Sequence, residues 1–341
     1  MSRRLLLLAL LSALLPAAAA WAAKPTASSW AQPEIKAVVA QGLMGRDVAT
    51  FRPDDPLTRG AAAAVVAALT NKPAVREANP ARPVTIGGLD SRLVAALGLR
   101  PAGAQFAAGA RAAGLAPPSR FGTEAVARLL GLRTDHPAAQ DNLELLPGDP
   151  ATRAEAAYSV AQILRFSGWE LQNVQAGAEA FSLPAMTPWQ QKILHVAISL
   201  IGYPYVWGGT SELAEAPFKV QARGGFDCSG FVWRVYKLQP YAGAANLSSV
   251  LLGRTTYQLS GEVPKTKRIP FAKLQPADVL FFGSNGQRSK PAQVDHAGIY
   301  LGNGWFIQSS GQGVALAPLT GWYRTRFAWA RRPLAEAGLG V

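Results

Sequence analysis

The sequence predicts an α+β protein in which an all-α repeat domain precedes a domain built on an antiparallel sheet. A Pro-x-Asp-Pro-x-Thr-Arg-x-x-Ala pattern occurs at residues 53–62 and again at 147–156, and an Ala- and Val-containing helical run follows each copy. Near the C-terminus, short apolar runs are separated by Gly and Asn, as hairpin strands are. Between these regions, a single cysteine, Cys228, opens an apolar helical pattern.

The first residues have the features of a secretory signal peptide. Arg3 and Arg4 precede a leucine-rich run, and Ala20-Trp21-Ala22 fits the small-residue cleavage pattern. We expect residues 1–22 to be removed after Ala22. The mature chain would then be secreted to the cell wall or periplasm, with no transmembrane segment.

The net charge and the Cys and His content limit which binding partners and cofactors the sequence predicts. The chain has 34 Lys and Arg against 21 Asp and Glu, a formal charge of +13. In an exported protein, such an excess favours anionic wall polymers or lipid headgroups, although it also fits simple solubility. No basic–aromatic ladder indicates nucleic-acid binding. One Cys and three scattered His do not supply a zinc ligand set, so neither a metal nor another cofactor is expected.

Residues 23–166 are predicted to form helical repeats. A helix is expected over Pro33–Gly42, and Thr58 and Thr152 are suited to cap the helices that follow them. The spacing of these two threonines leaves room for one more unit, for which Ser119–Leu132 is a degraded candidate. A single helix pair cannot bury its apolar face, so stacked units must share a core.

This segment resembles S-layer homology domains through Trp30-Ala31 and Phe-x-Pro-x-x-x-Leu-Thr-Arg at 51–59. The resemblance implies docking on cell-wall polysaccharide and nominates Arg59 and Arg153 as anion-binding groups. The alternative is that these arginines cap or bridge adjacent repeats. Residues 167–186 lose the helical periodicity and are predicted to form a linker with one short helix.

Residues 187–335 are predicted to form the second domain. Its cysteine lies in Gly-Phe-Asp-Cys-Ser-Gly-Phe-Val, where Asp227 is a suitable N-cap and Phe231 and Val235 bury the helix. An exported chain with one thiol cannot form an internal disulfide, so chemical use of Cys228 is favoured. We expect the helix N-terminus to lower the thiol pKa below about 8.5 and to offer N–H donors to an oxyanion.

Strands are predicted at 279–282, 294–301 and 305–310, and His296 and Gln308 lie on the last two. A plain two-residue turn at Asn303-Gly304 would place these side chains on opposite faces of the sheet. A three-residue loop or a bulge would place them on one face. If Gln308 orients His296, one of these two devices must be present. Cys and His together are the pair that acyl transfer through a thiol requires.

These residues resemble the NlpC-type papain-like peptidases of bacterial cell walls. The motifs that carry the resemblance are Tyr-Val-Trp-Gly-Gly at 205–209, Phe-Asp-Cys-Ser-Gly-Phe-Val at 226–232, Arg-Thr-Thr-Tyr-Gln at 254–258 and His-Ala-Gly-Ile-Tyr-Leu-Gly-Asn-Gly at 296–304. The resemblance implies a papain-like fold and hydrolysis of peptidoglycan stem peptides, typically between D-glutamate and the diamino acid. Cys228 would be the nucleophile and His296 the general base and then acid. Gln308 takes the third polar position, which in this family is most often His.

The same resemblance nominates substrate-binding residues. Asp227 and Ser229 match groups that hold the free amine of the stem peptide in some members, and Tyr205 and Thr256 lie in neighbouring motifs. The alternatives are that Asp227 is purely a helix cap and that Tyr205 is a core aromatic. Two other functions stay open: a catalytically lapsed wall-binding protein, which the Gln308 replacement favours, and an acyltransferase or amidase that uses the same Cys-His pair.

Overall fold

The computed structural model describes residues 29–340, so the predicted signal peptide lies outside the described residues. The first half of this range is helical, as predicted, and the second half is mixed. The helices before the predicted second domain are α1 (Gln32–Ala40), α2 (Arg59–Thr70), α3 (Ile86–Ala96), α4 (Arg100–Ala112), α5 (Phe121–Leu129), α6 (Arg153–Leu164) and α7 (Trp169–Ala180). No helix in the described range combines the length and the apolar character needed to cross a membrane.

Three threonine-capped helices meet in a ring. Thr58, Thr85 and Thr152 cap α2, α3 and α6 through their side-chain oxygens. The residues before them exchange backbone hydrogen bonds in a cycle: Leu57 donates to Ala151, Ala151 to Val84, and Val84 to Leu57, at 2.7–2.9 Å. The three chain segments therefore satisfy one another's backbone groups in a pseudo-threefold arrangement.

This ring corrects the predicted middle unit. Ser119–Leu132 contains α5, but the residue before α5 is Arg120 and makes no side-chain cap. The third equivalent helix is α3, which begins after Thr85. Its unit does not show the shared sequence pattern, because Ile86 stands where the other two units have arginine.

Residues 167–186, predicted as a linker, are packed against the rest of the protein. Within residues 167–186, α7 buries Val174 and Ala178. Phe181 then forms an edge-to-face cluster with Phe106 of α4 and with Trp305, with ring centroids 5.1–5.5 Å apart. Side chains of this stretch therefore pack against both the helical region and the second domain.

The second half is an α+β unit with an antiparallel sheet, which confirms the predicted fold class. Its helices are α8 (Pro188–Ser199), α9 (Cys228–Trp233), α10 (Thr256–Gly261), α11 (Gly321–Arg326) and α12 (Pro333–Glu336). Its strands are β1 (Thr210–Ser211), β2 (Gly225–Phe226), β3 (Val279–Gly283), β4 (Val294–Gly302), β5 (Trp305–Ser310), β6 (Gly313–Pro318) and β7 (Phe327–Arg331). The main sheet has the order β6-β5-β4-β3-β7, and β1 pairs with β2 separately. Strands β6 and β7 were not predicted from the sequence.

A bulge sets the register between β4 and β5. Tyr300 pairs with Phe306 and Gly302 pairs with Trp305, which leaves Leu301 as the extra residue. Asn303 and Gly304 form the turn with φ values of 47° and 79°, the left-handed pair that a tight hairpin of this kind needs. Of the two devices that would bring His296 and Gln308 together, the structure uses the bulge.

Two arginines join the helical region to the second domain: Arg120, which directly precedes α5, and Arg128, which lies within it. Arg120 donates to the carbonyl groups of Ile201 (2.8 Å) and Ser199 (2.5 Å), where α8 ends. Arg128 donates to the carbonyl of Gly202 at 2.7 Å and to that of Gln312. A single cluster of buried apolar side chains runs through both halves. The repeats are therefore packed against the second domain.

Candidate active site

Cys228 is the first residue of α9, as predicted. The carboxylate of Asp227 accepts from the N–H of Gly230 and caps the helix. The sulfur lies 4.0 Å from the carbonyl oxygen of Asp295, and the N–H of Ala297 also points to it. Both chain neighbours of His296 thus border the thiol. Cys228 itself is 7% exposed.

The expected fall in the thiol pKa is wrong. Burial, followed by the adjacent Asp227 carboxylate, raises the pKa of Cys228 to about 12. N–H groups of Ala297 and Ser229 and the guanidinium of Arg254 offset only part of this rise. Burying the thiolate away from water destabilises it by more free energy than the N-terminus of a six-residue helix contributes to stabilising it. The resting thiol is therefore neutral at neutral pH.

His296 and Gln308 lie on the same face of the sheet because of the bulge at Leu301, and their side chains are in contact. The Nε2 atom of His296 contacts Oε1 of Gln308, and the amide nitrogen of Gln308 contacts the hydroxyl of Tyr323. With Oε1 facing it, Nε2 carries the proton, so Nδ1 is the basic nitrogen. Burial lowers the pKa of His296, against the smaller opposite effect of the Gln308 hydrogen bond. The imidazole is accordingly neutral at neutral pH, as the thiol is.

Tyr323 was not found from the sequence. It lies on α11, and its ring packs edge-to-face on Phe306 at a centroid distance of 4.9 Å. Gln308 is 3% exposed, so its amide needs a partner at each end. In the sequence, Tyr323 is marked only by its place in a Trp-Tyr pair within a short polar segment, and that segment belongs to none of the motifs described above.

Asp227 and Ser229 are already occupied by a cation of the protein. Arg254 binds both oxygens of Asp227, at 3.1 and 3.2 Å, and its Nη1 lies 2.8 Å from the hydroxyl of Ser229. Its Nη2 also donates to the Gly208 carbonyl at 2.9 Å. A side chain at Gly230 would collide with this guanidinium, since its Cβ would stand 2.7 Å from Nη2. The predicted amine site is thus filled by Arg254.

Of the other predicted substrate-binding residues, Thr256 is buried and donates its hydroxyl to the Val294 carbonyl at 2.9 Å. This contact favours a role in holding the start of β4 over direct contact with substrate. Tyr205 is half-buried and forms a parallel bridge with Phe226. Its pKa is raised by burial and then by the charges of Cys228 and Asp227.

The two arginines predicted to bind wall polymer differ in their surroundings. Arg153 donates through Nε to the Phe51 carbonyl at 2.7 Å, and its guanidinium lies 4.6 Å from the centre of the Phe51 ring. Burial lowers its pKa. Arg153 therefore bridges two repeats, which is the alternative reading. Arg59 is half-buried at the N-terminus of α2 and makes no side-chain hydrogen bond within residues 29–340.

The high thiol pKa predicts how Cys228 reacts with iodoacetamide. Only thiolate is alkylated, so the rate should rise by about tenfold per pH unit from pH 7 to 10 without levelling off. A small free thiol measured in parallel levels off above its pKa of about 8.5. Mass spectrometry of the labelled protein gives the rates. A plateau beginning near pH 6 would instead indicate a preformed thiolate–imidazolium pair.

A buried thiol at the start of a helix, packed on an antiparallel sheet that carries an imidazole and its amide partner, defines the papain-like class of α+β proteins. Within that class, residues 202–332 match the model of the NlpC/P60 family. Residues 23–63 match the S-layer homology domain. The resemblances to an NlpC-type domain and to S-layer homology repeats are thereby confirmed.

Relatives of this chain include murein DD-endopeptidase MepH of Escherichia coli strain K12, which is 31% identical over 177 residues, 50% of this chain and 56% of that protein. Gamma-D-glutamyl-L-lysine dipeptidyl-peptidase of Bacillus subtilis strain 168 is 28% identical over 131 residues, 38% of this chain and 35% of that protein. This chain thus spans from about a third to a little over half of these relatives. A crystal structure of an NlpC/P60 family protein from Bacillus cereus ATCC 10987 has a TM-score of 0.33 at 25% identity, covering 46% of this chain and 43% of that one.

Proposed function

We propose that the protein is a peptidoglycan hydrolase that cleaves stem peptides with Cys228 and His296 and is held at the cell wall by its N-terminal repeats. The proposal rests on two contacts: the Cys228 sulfur lies against the backbone beside His296, and Nε2 of His296 is held by the buried amide of Gln308, which leaves Nδ1 as the basic nitrogen. The repeats are assigned to residues 23–166, the connection to 167–186 and the peptidase to 187–335. The substrate is a peptide of the wall, and the protein acts in the bacterial envelope.

In the proposed reaction, Nδ1 of His296 takes the thiol proton as Sγ of Cys228 attacks the carbonyl carbon. The proton moves during the attack because both groups are neutral at rest. The N–H of Cys228 stabilises the oxyanion. Nδ1–H then protonates the leaving amine, which releases it and leaves a thioester. Nδ1 then deprotonates a water molecule as it attacks the thioester, and Nδ1–H returns the proton to the departing Sγ, which restores the thiol and releases the carboxylic acid product.

Gln308 orients the imidazole but cannot supply negative charge to imidazolium. This amide does not by itself favour the catalytically lapsed alternative, because its oxygen still meets Nε2 of His296. An acyltransferase would follow the same steps with another amine in place of water.

The bond between D-glutamate and the diamino acid is the proposed cleavage site. Relatives named for different bonds, a DD-endopeptidase and a γ-D-glutamyl-L-lysine dipeptidyl-peptidase, leave the choice to product analysis. Purified sacculus fragments should be digested with the full mature chain and examined by mass spectrometry. A new α-amine at the diamino acid together with a new γ-carboxyl group at D-glutamate supports the proposal. A new carboxyl group at D-alanine with a new side-chain amine at the diamino acid would move the cleavage site to the cross-link, and an unchanged pattern with the folded protein would contradict hydrolysis.

The position of Arg254 leads us to expect that the protein also cleaves stem peptides whose N-terminal amine is blocked. Because the Asp227 carboxylate is already paired with a guanidinium, a second cation gains little there. We expect kcat/KM for an N-acetylated tripeptide to lie within about threefold of that for the free-amine tripeptide, a difference below about 0.7 kcal/mol. A preference for the free amine of more than about tenfold would restore Asp227 and Ser229 as an amine site. Tolerance would favour wall-attached peptides over recycled fragments.

A further inference from the structure

A groove of about 530 Å³ lies between α7 and the junction of β6 with α11. Trp169 and Asn173 form one wall, Pro318 and Thr320 form the other, and Trp305 lies against Gly177 at its base. The volume falls within the range of about 300–1,000 Å³ that is usual for small-ligand sites. None of the residues that make up the mechanism above lines this groove.

We infer that this groove binds a neutral saccharide, with one pyranose face on the indole of Trp169. Trp169 is 60% exposed, and the polar side chains of Glu170, Asn173 and Thr320 line the same groove. A sugar presents an apolar C–H face together with hydroxyl groups, so it requires an aromatic plane and hydrogen-bonding side chains in one place.

The polar groups needed for such a ligand are free to act. The Asn173 side chain makes no hydrogen bond to any residue in the range 29–340, and the Thr320 hydroxyl does not cap α11. Glu170 accepts from the N–H and the hydroxyl of Ser167 through Oε2, so its carboxylate is held in place at the groove. An amide, a hydroxyl and a carboxylate oxygen can together donate to and accept from sugar hydroxyls.

The lining also selects against other wall components. Among the described residues that form the groove, the only charged side chain is Glu170, and neither Lys nor Arg contributes. A phosphate-bearing polymer or an anionic headgroup would meet a like charge there. A neutral amino sugar, such as those of the peptidoglycan glycan strand, meets none.

The position of the groove connects it with the proposed reaction, on which the choice of glycan rests. Thr320 directly precedes α11, and that helix carries Tyr323, which contacts Gln308, and Arg326, which pairs with Asp295 beside His296. A glycan held at Thr320 would lie along the helix that supports the imidazole side of the site. The attached stem peptide would then start on that side.

Calorimetric titration of the full mature chain with the tetrasaccharide of N-acetylglucosamine tests binding directly. We expect a dissociation constant of roughly 0.1–1 mM and a weakening of about tenfold or more for Trp169→Ala. Trp207→Ala is the matched control, since Trp207 is 55% exposed outside the groove, and it should bind within about twofold of wild type. No binding by the folded wild type, or equal binding by Trp169→Ala, would overturn the inference.

Kinetics separate this inference from the proposed function. Trp169→Ala should raise KM for a stem peptide attached to its disaccharide and leave KM for the free stem peptide unchanged. If KM rises equally for both peptides, the groove does not recognise glycan. If wild type cleaves neither peptide, the proposed function fails, while the calorimetric result still decides whether the groove binds saccharide.

Discussion

Replacing Cys228 with alanine is expected to lower kcat for stem-peptide hydrolysis by about 10³- to 10⁴-fold or more. The covalent thioester cannot form without Sγ, and within residues 29–340 there is no second cysteine to replace it. Release of the diamino-acid amine, followed by chromatography, measures the rate. Cys228→Ser is the close control, because its hydroxyl fits the site but is a much weaker nucleophile at neutral pH.

The loss must be separated from unfolding. Cys228 is small, so removing its sulfur should cost only about 1 kcal/mol of stability, and circular dichroism should show an unchanged fold. His296→Ala should lose a comparable factor, since thiol and imidazole act as one unit. Retention of a tenth of the wild-type rate by Cys228→Ala would refute a thiol mechanism. If the wild type is equally inactive, the lapsed wall-binding alternative becomes the better description.

Arg128→Met is expected to lower the free energy of unfolding by about 3–5 kcal/mol. Arg128 is 4% exposed, pairs with buried Glu124 at 3.1 Å, and donates to carbonyl groups of Gly202 and Gln312 in the second domain. Removing it leaves a buried carboxylate and two carbonyl groups without this partner. Urea unfolding followed by fluorescence measures the change, and the melting temperature should fall by roughly 6–20 °C.

The pH dependence identifies the cause. Burial raises the pKa of Glu124, and Arg128 opposes that rise. Without Arg128, the folded state should bind a proton at Glu124 at a pH where the unfolded chain does not, so stability then falls as pH increases. The deficit should therefore be larger at pH 8 than at pH 5. The double variant with Glu124→Gln should recover part of the loss, and no recovery would assign the loss to the two carbonyl groups alone.

Local patterns in the sequence were enough to predict much of the site. Asp227 as helix cap, Cys228 at the first turn and strands carrying His296 and Gln308 each follow from spacing over a few residues. The parity argument required a loop or bulge, and the bulge at Leu301 is present. The equivalent helix after Thr85 was missed because its unit lacks the arginine that made the other two visible.

What could not be predicted depends on atoms distant in sequence. The rise of the Cys228 pKa comes first from burial by the whole domain, and the filling of the Asp227 site depends on Arg254, 27 positions away. Tyr323 reaches Gln308 only because α11 folds back over the sheet.

The chain's own pattern of caps, turns and alternating strands specified the α+β class, the helical repeats and the candidate thiol and imidazole, because these depend on short-range geometry. Packing of the repeats on the second domain, the neutral resting state of Cys228 and His296, and the groove beside Trp169 emerged only in three dimensions. Burial and electrostatic environment are properties of assembled neighbours, and sequence spacing alone does not measure them.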